Sequence, residues 1–456
     1  MAVINVEKLS EAGKYHRLDA EFYQPQYFID FSKGRWKPIK KFLDICQYGI
    51  SQAMIEEPKG YPIFRMDDIR DCFLIDDEVK YIEISDQIFE QFKLEVNDIL
   101  FNRVNAEEFV GRTGVFKLKG DYVFASYLIR LRVKPNSEIL PDYLNLFLNT
   151  KYGKKQIRRY SRRAVNQANV NAEELKNFKI YVLPLDIQKQ ISQISDEAWN
   201  KIELSKALYS QAENLLLEEL GLKDFKPKYE LFYTANLSQA FGVHRVDAEY
   251  FQPMYEEIEE HLTKNFETSP IKKIRYIDVT TGQYTENYIS KDKGKPYIRG
   301  TDISNGTINT DSLLYISPED QIESKKAKEG DVVVTRVGTI GLSARVPKEC
   351  EGGTISDNLI RIRIFDEGKL NSYYLALYLG SSIGVSLMIK NSRGSVQQRL
   401  NQETLKEVII PLLPSETQQK IAELVKQSHK ARREAKELLE EAKRKVEEAI
   451  ENEINK

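Results

Sequence analysis

The chain has 456 residues, of which 41% are hydrophobic and 30% are charged, and this length suits two or three folded domains with apolar cores. No run approaches 18 apolar residues, the N-terminus lacks the pattern of a signal peptide, and the three cysteines and four histidines are scattered, so we expect a cytoplasmic protein without a membrane span, a disulfide framework or a metal site. The formal net charge of −2 argues against a basic coat that binds nucleic acid without specificity, but it allows a DNA reader whose positive charge is local.

In chain order, the first half of the sequence predicts short strands, then a helix, then one long helix. The segment Val96–Val104 and the run LIRLRV at Leu128–Val133 are rich in β-branched and apolar residues. The second run alternates strictly, which predicts a half-buried strand whose arginines Arg130 and Arg132 face solvent. A helix is predicted over Pro141–Asn149, and its counterpart in the second half over Asn371–Gly380.

Each half ends in a long helix that begins near Pro184 or Pro414. Gly221 is placed as the residue that closes the first helix. Residues at heptad-like spacings predict a seam on each helix. The first seam contains Ile191, Ile194, Ala198, Ser205, Leu208, Ala212 and Leu215, with Lys201 interrupting, and the second contains Ile421, Leu424, Ser428, Ala431, Ala435, Leu438, Ala442 and Ala449, with Lys445 interrupting. We expect the two helices to pair in antiparallel fashion; the alternative is that each packs only on its own domain.

The sequence contains an internal repeat. HRLDAEFYQPQY, which begins at His16, returns 228 residues later as HRVDAEYFQPMY, which begins at His244. Further matches follow in the same order at offsets of 228 to 234: PIFRMDDI with PYIRGTDI, VNDILFNRV with EGDVVVTRV, ASYLIRLRV with SDNLIRIRI, and LPLDIQKQISQI with LPSETQQKIAEL. A period this long predicts two duplicated domains, because the units of a solenoid are only about 20–50 residues long.

These repeated motifs resemble the specificity subunits of type I restriction–modification enzymes. The resemblance covers essentially the whole chain and rests on the RLDAEFYQP and RVDAEYFQP openings, the NDILFNRV and GDVVVTRVGTIG segments, and the two stretches that precede and enter the long helices. Those stretches match position by position: Gln167 with Gln397, Asn171 with Asn401, Leu175 with Leu405, Pro184 with Pro414, and Gln188 with Gln418. The first half departs from the pattern at NRVNAEEFVGRTGVF, where an insertion replaces TRVGTIG.

The resemblance implies a mixed α/β (α+β) fold in which two target recognition domains are separated by two long antiparallel coiled-coil helices in a pseudo-two-fold arrangement. The expected domains are residues 1–183, a spacer helix at 184–222, residues 223–413, and a second spacer helix at 414–456. The chain would recognise a gapped, asymmetric double-stranded DNA site and dock two methyltransferase subunits, with translocase–nuclease subunits joining them. S-adenosylmethionine, ATP and Mg²⁺ are expected on those partners only, and no cofactor on this chain.

Candidate DNA-binding residues fall into two groups, because phosphate contacts supply affinity and base contacts supply specificity. The stretch from Lys151 to Arg163 has seven cations and no acid, which suits phosphates; the alternative is a solvated helix face. Its members are Lys151, Lys154, Lys155, Arg158, Arg159, Arg162 and Arg163. The thinner counterpart contains Lys390, Arg393, Gln397, Gln398 and Arg399.

Residues that both halves share are poor candidates for base reading, because the two halves should read different sequences. The pairs Arg65 and Arg299, and Arg103 and Arg336, are therefore expected to hold phosphates or to brace loops. Base discrimination is expected in two divergent loops, at residues 49–60 and 281–295. The candidates there are Gln52, Gln283, Tyr284, Asn287, Lys293 and Lys295; the alternative for each is an exposed loop residue.

The sequence contains no motif for a methyltransferase or for a phosphate-binding loop. The only nuclease-like fragment, from Asp76 to Lys80, is of a kind that arises by chance in a chain this rich in charge. We therefore expect no catalysis from this chain. An alternative to a DNA-specificity subunit is a protein-binding scaffold with two duplicated domains and a coiled-coil brace.

Overall fold

The computed structural model describes residues 17–164, 167–225, 228–304, 306–394 and 398–455. It divides into two compact units. Unit 1 contains the described residues up to Glu203 and from Arg432 onward, and unit 2 contains those from Leu204 to Ala431. Each unit mixes short strands with helices, which confirms the predicted fold class.

The first half of the chain supplies most of unit 1. Its strands are β1 Trp36–Pro38, β2 Leu43–Tyr48, β3 Tyr61–Phe64, β4 Ile69–Arg70, β5 Phe73–Leu74, β6 Lys80–Ile82, β7 Ile99–Asn102, β8 Val104–Asn105, β9 Thr113–Val115, β10 Val123–Phe124, β11 Leu128–Val133, β12 Arg162–Ala164, β13 Gln167–Asn169 and β14 Lys179–Tyr181. Its helices are α1 Asp86–Phe92, α2 Pro141–Asn149, α3 Lys151–Tyr160, α4 Ala172–Lys176 and the long α5 Leu185–Glu219, which continues into unit 2.

The second half supplies most of unit 2. Its helices are α6 Leu237–Val243, α7 Pro253–Asn265, α8 Ser372–Gly380, α9 Ser382–Asn391, α10 Gln402–Leu405 and the long α11 Ser415–Ile454, which continues into unit 1. Its strands are β15 Thr268–Pro270, β16 Ile277–Thr281, β17 Lys295–Ile298, β18 Ile303–Ser304, β19 Thr307–Ile308, β20 Leu314–Ile316, β21 Val332–Thr335, β22 Ser343–Arg345, β23 Thr354–Ile355, β24 Leu359–Ile364 and β25 Ile409–Pro411.

The sheets of the two units have matching strand orders. The main sheet runs β2-β11-β7-β9 in unit 1, with β5 and β4 added beyond β9, and β16-β24-β21-β22 in unit 2. A second sheet runs β10-β3-β6 in unit 1 and β23-β17-β20 in unit 2, and a third pairs β1 with β14 and β15 with β25. Strands far apart in sequence thus pair in the same way twice, which confirms the duplication predicted from the repeat.

The two long helices pack against each other within each unit, as the seams predict. In unit 1, Lys201 of α5 forms an ion pair with Glu434 of α11 (2.6 Å). In unit 2, Ser205 and Ser428 are buried and their hydroxyl oxygens lie 3.0 Å apart. Rising residue numbers in α5 meet falling numbers in α11, so the helices are antiparallel.

The end of α5 follows the sequence prediction. Gly221 has φ = 64°, a left-handed conformation that favours glycine. Its amide donates to the carbonyl of Glu218 (2.9 Å), and the amide of Leu222 donates to that of Leu217 (2.7 Å). These two hydrogen bonds are the Schellman arrangement that closes a helix.

The seam of α11 differs from the prediction near its end. Leu439, Val446 and Ile450 are buried, whereas Leu438 and Ala449 are only half-buried and Lys445 is exposed. Val446 and its neighbours join the core of unit 1, which includes residues of its sheet and of α2. The buried stripe therefore shifts by one residue, because this part of the helix packs on a domain as well as on α5.

The expectation of a basic, solvated strand face is wrong. Arg130 in β11 and Arg361 in β24 are 3% and 2% exposed. Arg130 donates to the carbonyls of Lys93 (2.7 Å) and Gln91 (3.1 Å), and desolvation lowers the pKa of its guanidinium. Backbone carbonyls replace water around these guanidinium groups. Alternation alone therefore does not indicate which face of the strand is exposed to solvent.

The most apolar helices are α8 and α9 of unit 2. Tyr374, Leu375 and Leu379 of α8 and Leu387 of α9 are buried in the core of that unit. Together the two helices have the length and composition of a membrane span, but they are bent by 71°. Across the described ranges, no single helix is both long enough and apolar enough to cross a membrane.

Candidate nucleic-acid interface

In unit 1, a small sheet carries the arginines that follow α3. Strand β12 pairs with β13 so that Arg162 lies opposite Asn169, and β13 pairs with β8, which begins directly after Arg103. The amide of Val170 donates to the carbonyl of Arg103 (3.0 Å), and the amide of Arg103 donates to the carbonyl of Tyr127 (3.0 Å). We define edge 1 as Arg103, the turn Ser126–Tyr127 and strands β8, β12 and β13.

Unit 2 has the same arrangement. The amide of Leu400 donates to the carbonyl of Arg336 (2.9 Å), and the amide of Arg336 donates to that of Asn358 (3.0 Å). Arg393 and Arg399 exchange two backbone hydrogen bonds (2.9 and 2.7 Å). We define edge 2 as Arg336, the turn Asp357–Asn358, Arg393 and residues 398–399. Each edge brings together predicted site residues from two separate parts of its half of the chain, beside a turn from a third part.

The opening motif of the repeat fixes the start of edge 1. Arg17 donates to both carboxylate oxygens of Asp19 (2.7 and 2.5 Å). Its guanidinium also donates to the carbonyl oxygens of Tyr160 (2.9 Å) and Ser161 (3.3 Å), the two residues before Arg162. The hydrogen bonds from Arg17 lower the pKa of the Asp19 carboxyl. We call this arrangement of arginine and aspartate a clasp.

A second clasp fixes the start of edge 2. Arg245 donates to both carboxylate oxygens of Asp247 (2.8 and 2.7 Å) and to the carbonyls of Lys390 (3.2 Å) and Ser392 (2.7 Å). Ser392 directly precedes Arg393. The most clearly repeated motif of the sequence thus anchors the C-terminal end of α9 and, in the other unit, of α3.

The predicted basic cluster of α3 separates into three environments. The side chain of Lys151 pairs with Glu447 and Glu451 of α11, and Lys154 and Lys155 are exposed. Arg159 is buried, with its guanidinium carbon 4.4 Å from the centre of the Phe22 ring. The remaining cations lie at edge 1 beside acids from elsewhere in unit 1. Arg158 and Arg163 pair with Glu107 (3.7 and 2.6 Å), and Arg162 pairs with Glu174 (3.2 Å).

The shared arginines brace the backbone in both units. The backbone amides of Arg65 and Arg299 donate to the carboxylate of an aspartate three residues later, Asp68 (2.6 Å) or Asp302 (2.8 Å). The guanidinium groups of the two arginines donate to the same carboxylates (3.2 and 3.0 Å). Desolvation raises the pKa of Asp68 even though Arg65 opposes this effect. The side chain of Arg336 donates to the carbonyls of Leu400 (3.1 Å) and Asp357 (3.1 Å), and that of Arg103 to the carbonyl of Ser126 (3.4 Å).

Comparison with known protein families identifies these duplicated domains. The family model described as the type I restriction modification DNA specificity domain matches residues 35–214 and, a second time, residues 263–444. The chain belongs to this family. Two copies of the domain in one chain confirm the predicted identity as a type I specificity subunit, and they favour it over the protein-binding scaffold.

Individual relatives agree with the family match. The chain is 26% identical over 449 residues to a putative type I restriction enzyme MjaX specificity subunit from Methanocaldococcus jannaschii, in an alignment that covers 93% of this chain and 96% of the relative. It is 24% identical over 172 residues to the type I restriction enzyme EcoKI specificity subunit from Escherichia coli, which covers 37% of this chain and 36% of the relative. This second alignment therefore spans about a third of either protein.

Solved structures with some similarity include two specificity subunits. The S subunit of a type I restriction–modification system from M. genitalium has a TM-score of 0.41 at 12% identity, and the alignment covers 93% of this chain and 98% of that one. The HsdS subunit from Thermoanaerobacter tengcongensis has a TM-score of 0.30 at 15% identity, with 92% and 96% covered.

In this specificity chain, most of the predicted base-reading residues are exposed. Gln52, Asn287 and Lys293 are exposed, as is Tyr284, whose hydroxyl donates to Glu286. Gln283 differs, because its side-chain amide donates to the carbonyl of Asp320 (2.6 Å) and its amide oxygen accepts from the backbone of Ile322 (2.9 Å). Gln398 and Lys295 are exposed, and Gln397 lies outside the described residues.

Some residues that shape the two edges were missed in the sequence. Arg17 and Arg245 belong to the repeated opening motif, but the motif gives no sign of the carbonyls that they hold. Tyr127 and Asn358 stand opposite each other when ASYLIRLRV is aligned with SDNLIRIRI. That difference, within an otherwise similar segment, was the available signal.

No group of three or more metal-binding side chains is found within the described parts of the chain. Burial raises the pKa of the Cys46 and Cys72 thiols to about 11, and burial raises that of Cys350 to about 12. These thiols therefore stay protonated near neutral pH and are poor nucleophiles or metal ligands.

Proposed function

We propose that this specificity chain reads one split, asymmetric DNA target, with each unit reading one half, and that it performs no chemistry itself. The observation that carries the proposal is the pair of matching edges, on which similar backbones present arginines beside different exposed side chains. Two non-identical readers in one polypeptide would recognise a site without two-fold symmetry. The proposed domains are residues 1–183 and 223–413, with spacer helices at 184–222 and 414–456.

Phosphate contacts are assigned to the exposed arginines of the edges. The side chain of Arg162 is 65% exposed even with Glu174 beside it. Arg393 and Arg399 are exposed, and the side chain of Arg163 is 27% exposed. A phosphate that approaches Arg162 would compete with the carboxylate of Glu174, whose side chain is 14% exposed and also pairs with Arg17 (3.4 Å). Base contacts are assigned to exposed residues that differ between the units, including Gln52, Tyr284, Asn287 and Lys293.

The partners are proposed to be double-stranded DNA and two methyltransferase subunits, with translocase–nuclease subunits in a larger assembly. S-adenosylmethionine would bind the methyltransferase, which would methylate adenine, and ATP and Mg²⁺ would bind the translocase. The family membership and the specificity subunits among the relatives support this assignment.

We further propose that the length of α5 and α11 sets the gap between the half-sites. A helix of 35 residues is about 50 Å long, which corresponds to on the order of 10–15 base pairs of B-DNA.

The experiment is to express the chain with its methyltransferase and to map methylated adenines by sequencing. A gapped motif whose two halves are unrelated in sequence is expected. Removing seven residues from both helices should shorten the gap and leave both half-sites unchanged. An unchanged gap would refute the role of helix length. The absence of any methylated motif, together with DNA binding that does not depend on sequence, would favour the protein-binding scaffold instead.

A further inference from the structure

We propose that Tyr127 and Asn358, at the tips of two equivalent turns, are specificity-determining residues, and that each reads a base in the half-site of its own unit. The inference rests on the proposed function, because it presupposes that both edges face DNA. It adds a position to the candidates from the divergent loops.

In unit 1 the turn is held mainly by backbone hydrogen bonds. The amide of Leu128 donates to the carbonyl of Ala125 (2.9 Å) and closes the turn, and the amide of Ser126 donates to the carbonyl of Ile50 (2.8 Å). The carbonyl of Tyr127 accepts from the amide of Arg103. The turn therefore connects the loop that contains Gln52 with the strand end that leads into β8.

The turn in unit 2 repeats each of these bonds. The amide of Leu359 donates to the carbonyl of Ser356 (3.0 Å), and the amide of Asp357 donates to the carbonyl of Gln283 (3.2 Å). The carbonyl of Asn358 accepts from the amide of Arg336. The side chains of Arg103 and Arg336 also donate to the carbonyl one residue before the tip, at 3.4 Å and 3.1 Å.

The tips differ in side chain although their backbones match. Tyr127 is 51% exposed, and Asn358 is exposed. Since the hydrogen bonds that hold each turn come mainly from the backbone, either side chain can change without loss of the turn. A constant scaffold with a variable, solvent-facing tip is what two readers of different sequences require.

The chemistry of the tips suits base edges. An asparagine amide can donate to N7 and accept from the N6 amino group of adenine with correct geometry for both bonds. A tyrosine hydroxyl both donates and accepts, and its ring can pack on the methyl group of thymine. Each tip lies between a divergent loop and the arginines of its edge, so phosphate contacts by Arg162 or Arg393 would fix its register along the groove.

The test is selection of bound duplexes from a randomised DNA pool by the full chain in complex with its methyltransferase. The variants are Asn358→Ala, Asn358→Asp and Tyr127→Phe. Phe365→Ala is the matched control, because Phe365 is exposed and directly follows the opposite end of β24. Thermal melting of each variant checks that the turns still fold.

Substitution of Asn358 should weaken discrimination at one base pair of one half-site by about 5- to 150-fold. Asn358→Asp should move the preference there from adenine toward cytosine, because a carboxylate can only accept. Tyr127→Phe should relax one position of the other half-site, and Phe365→Ala should select the wild-type motif. Selection of an unchanged motif by all Tyr127 and Asn358 variants would overturn this inference alone, whereas failure of the wild-type complex to select any motif would overturn the proposed function.

Discussion

Replacement of Arg245 by alanine should destabilise unit 2 and loosen edge 2. The side chain of Arg245 is 9% exposed, whereas its partner Asp247 is 47% exposed. Water can therefore replace the arginine at the carboxylate. The contribution of this ion pair to the free energy of unfolding is small, on the order of 1 kcal/mol or less. The carbonyls of Lys390 and Ser392 lose charged donors, which costs about 1.5 kcal/mol each at the lower end of the usual range.

The free energy of unfolding should thus fall by about 3 kcal/mol, which corresponds to a decrease of about 6–12 °C in the melting temperature of a unit of this size. The conservative variant Arg245→Lys should recover part of the loss, because it keeps the charge but not the two parallel bonds. Arg275→Ala is the control, since Arg275 is an exposed arginine of the same unit.

The assays are thermal melting and hydrogen exchange of the amides of Arg393 and Arg399, which bond to each other's carbonyls in edge 2. Exchange at both amides should accelerate in Arg245→Ala. The hydrogen bonds from Arg245 lower the pKa of Asp247. The extra stability that this pair gives the wild-type protein is therefore present above the ordinary aspartate pKa of about 4, and it is lost as the pH falls through the lowered pKa. A melting shift within about 1 °C and unchanged exchange at these amides would refute the role of the clasp.

Three further changes test other parts of the structure. Gln418→Ala removes a buried side-chain amide that donates to the carbonyls of Lys369 and Leu413 and accepts from the amide of Asn371, the residue before α8. Urea unfolding should show a loss of about 3 kcal/mol in the free energy of unfolding. Gly282→Ala would place a methyl group 2.1 Å from the carbonyl oxygen of Ser356, so the turn of edge 2 must shift, and gel-shift titration should show weaker binding to the unit 2 half-site only. Val446→Asp should lower the melting temperature of unit 1 in calorimetry markedly more than Lys445→Asp, because only the valine is buried. Equal effects would mean that the buried stripe is the one predicted from heptad spacing.

The sequence was most informative where the duplication gave two versions of the same element. The domain repeat, the mixed α/β class, the two long helices and the closing role of Gly221 all follow from patterns that occur twice or from strong local preferences. Heptad spacing predicted the pairing of α5 and α11, and it placed most seam residues correctly. It failed near Val446, because the contacts of that stretch come from a sheet far away in sequence.

The site could be predicted only in part. Composition located the arginines of edge 1, but it could not tell Arg162, which is exposed, from Arg159, which is buried under aromatic rings. The clasp could not be predicted from the sequence, because Arg17 donates a hydrogen bond to a carbonyl 143 residues away. Arg130 was predicted to face solvent but is buried. Alternation predicts the direction of a side chain, but it does not predict the backbone carbonyls that pack around that side chain.

The hydroxyl pair in the helix seam has a consequence for how the chain can change in length. Ser428 donates to the carbonyl of Ser205 (2.7 Å), and the two hydroxyl oxygens meet in a buried position. Sliding one helix by a heptad past the other would leave each hydroxyl facing an apolar neighbour, at a cost of about 1–3 kcal/mol for each group. Insertions tolerated during evolution should therefore come in matched numbers, one in each helix, and an unmatched insertion should loop out at a helix end rather than displace this pair.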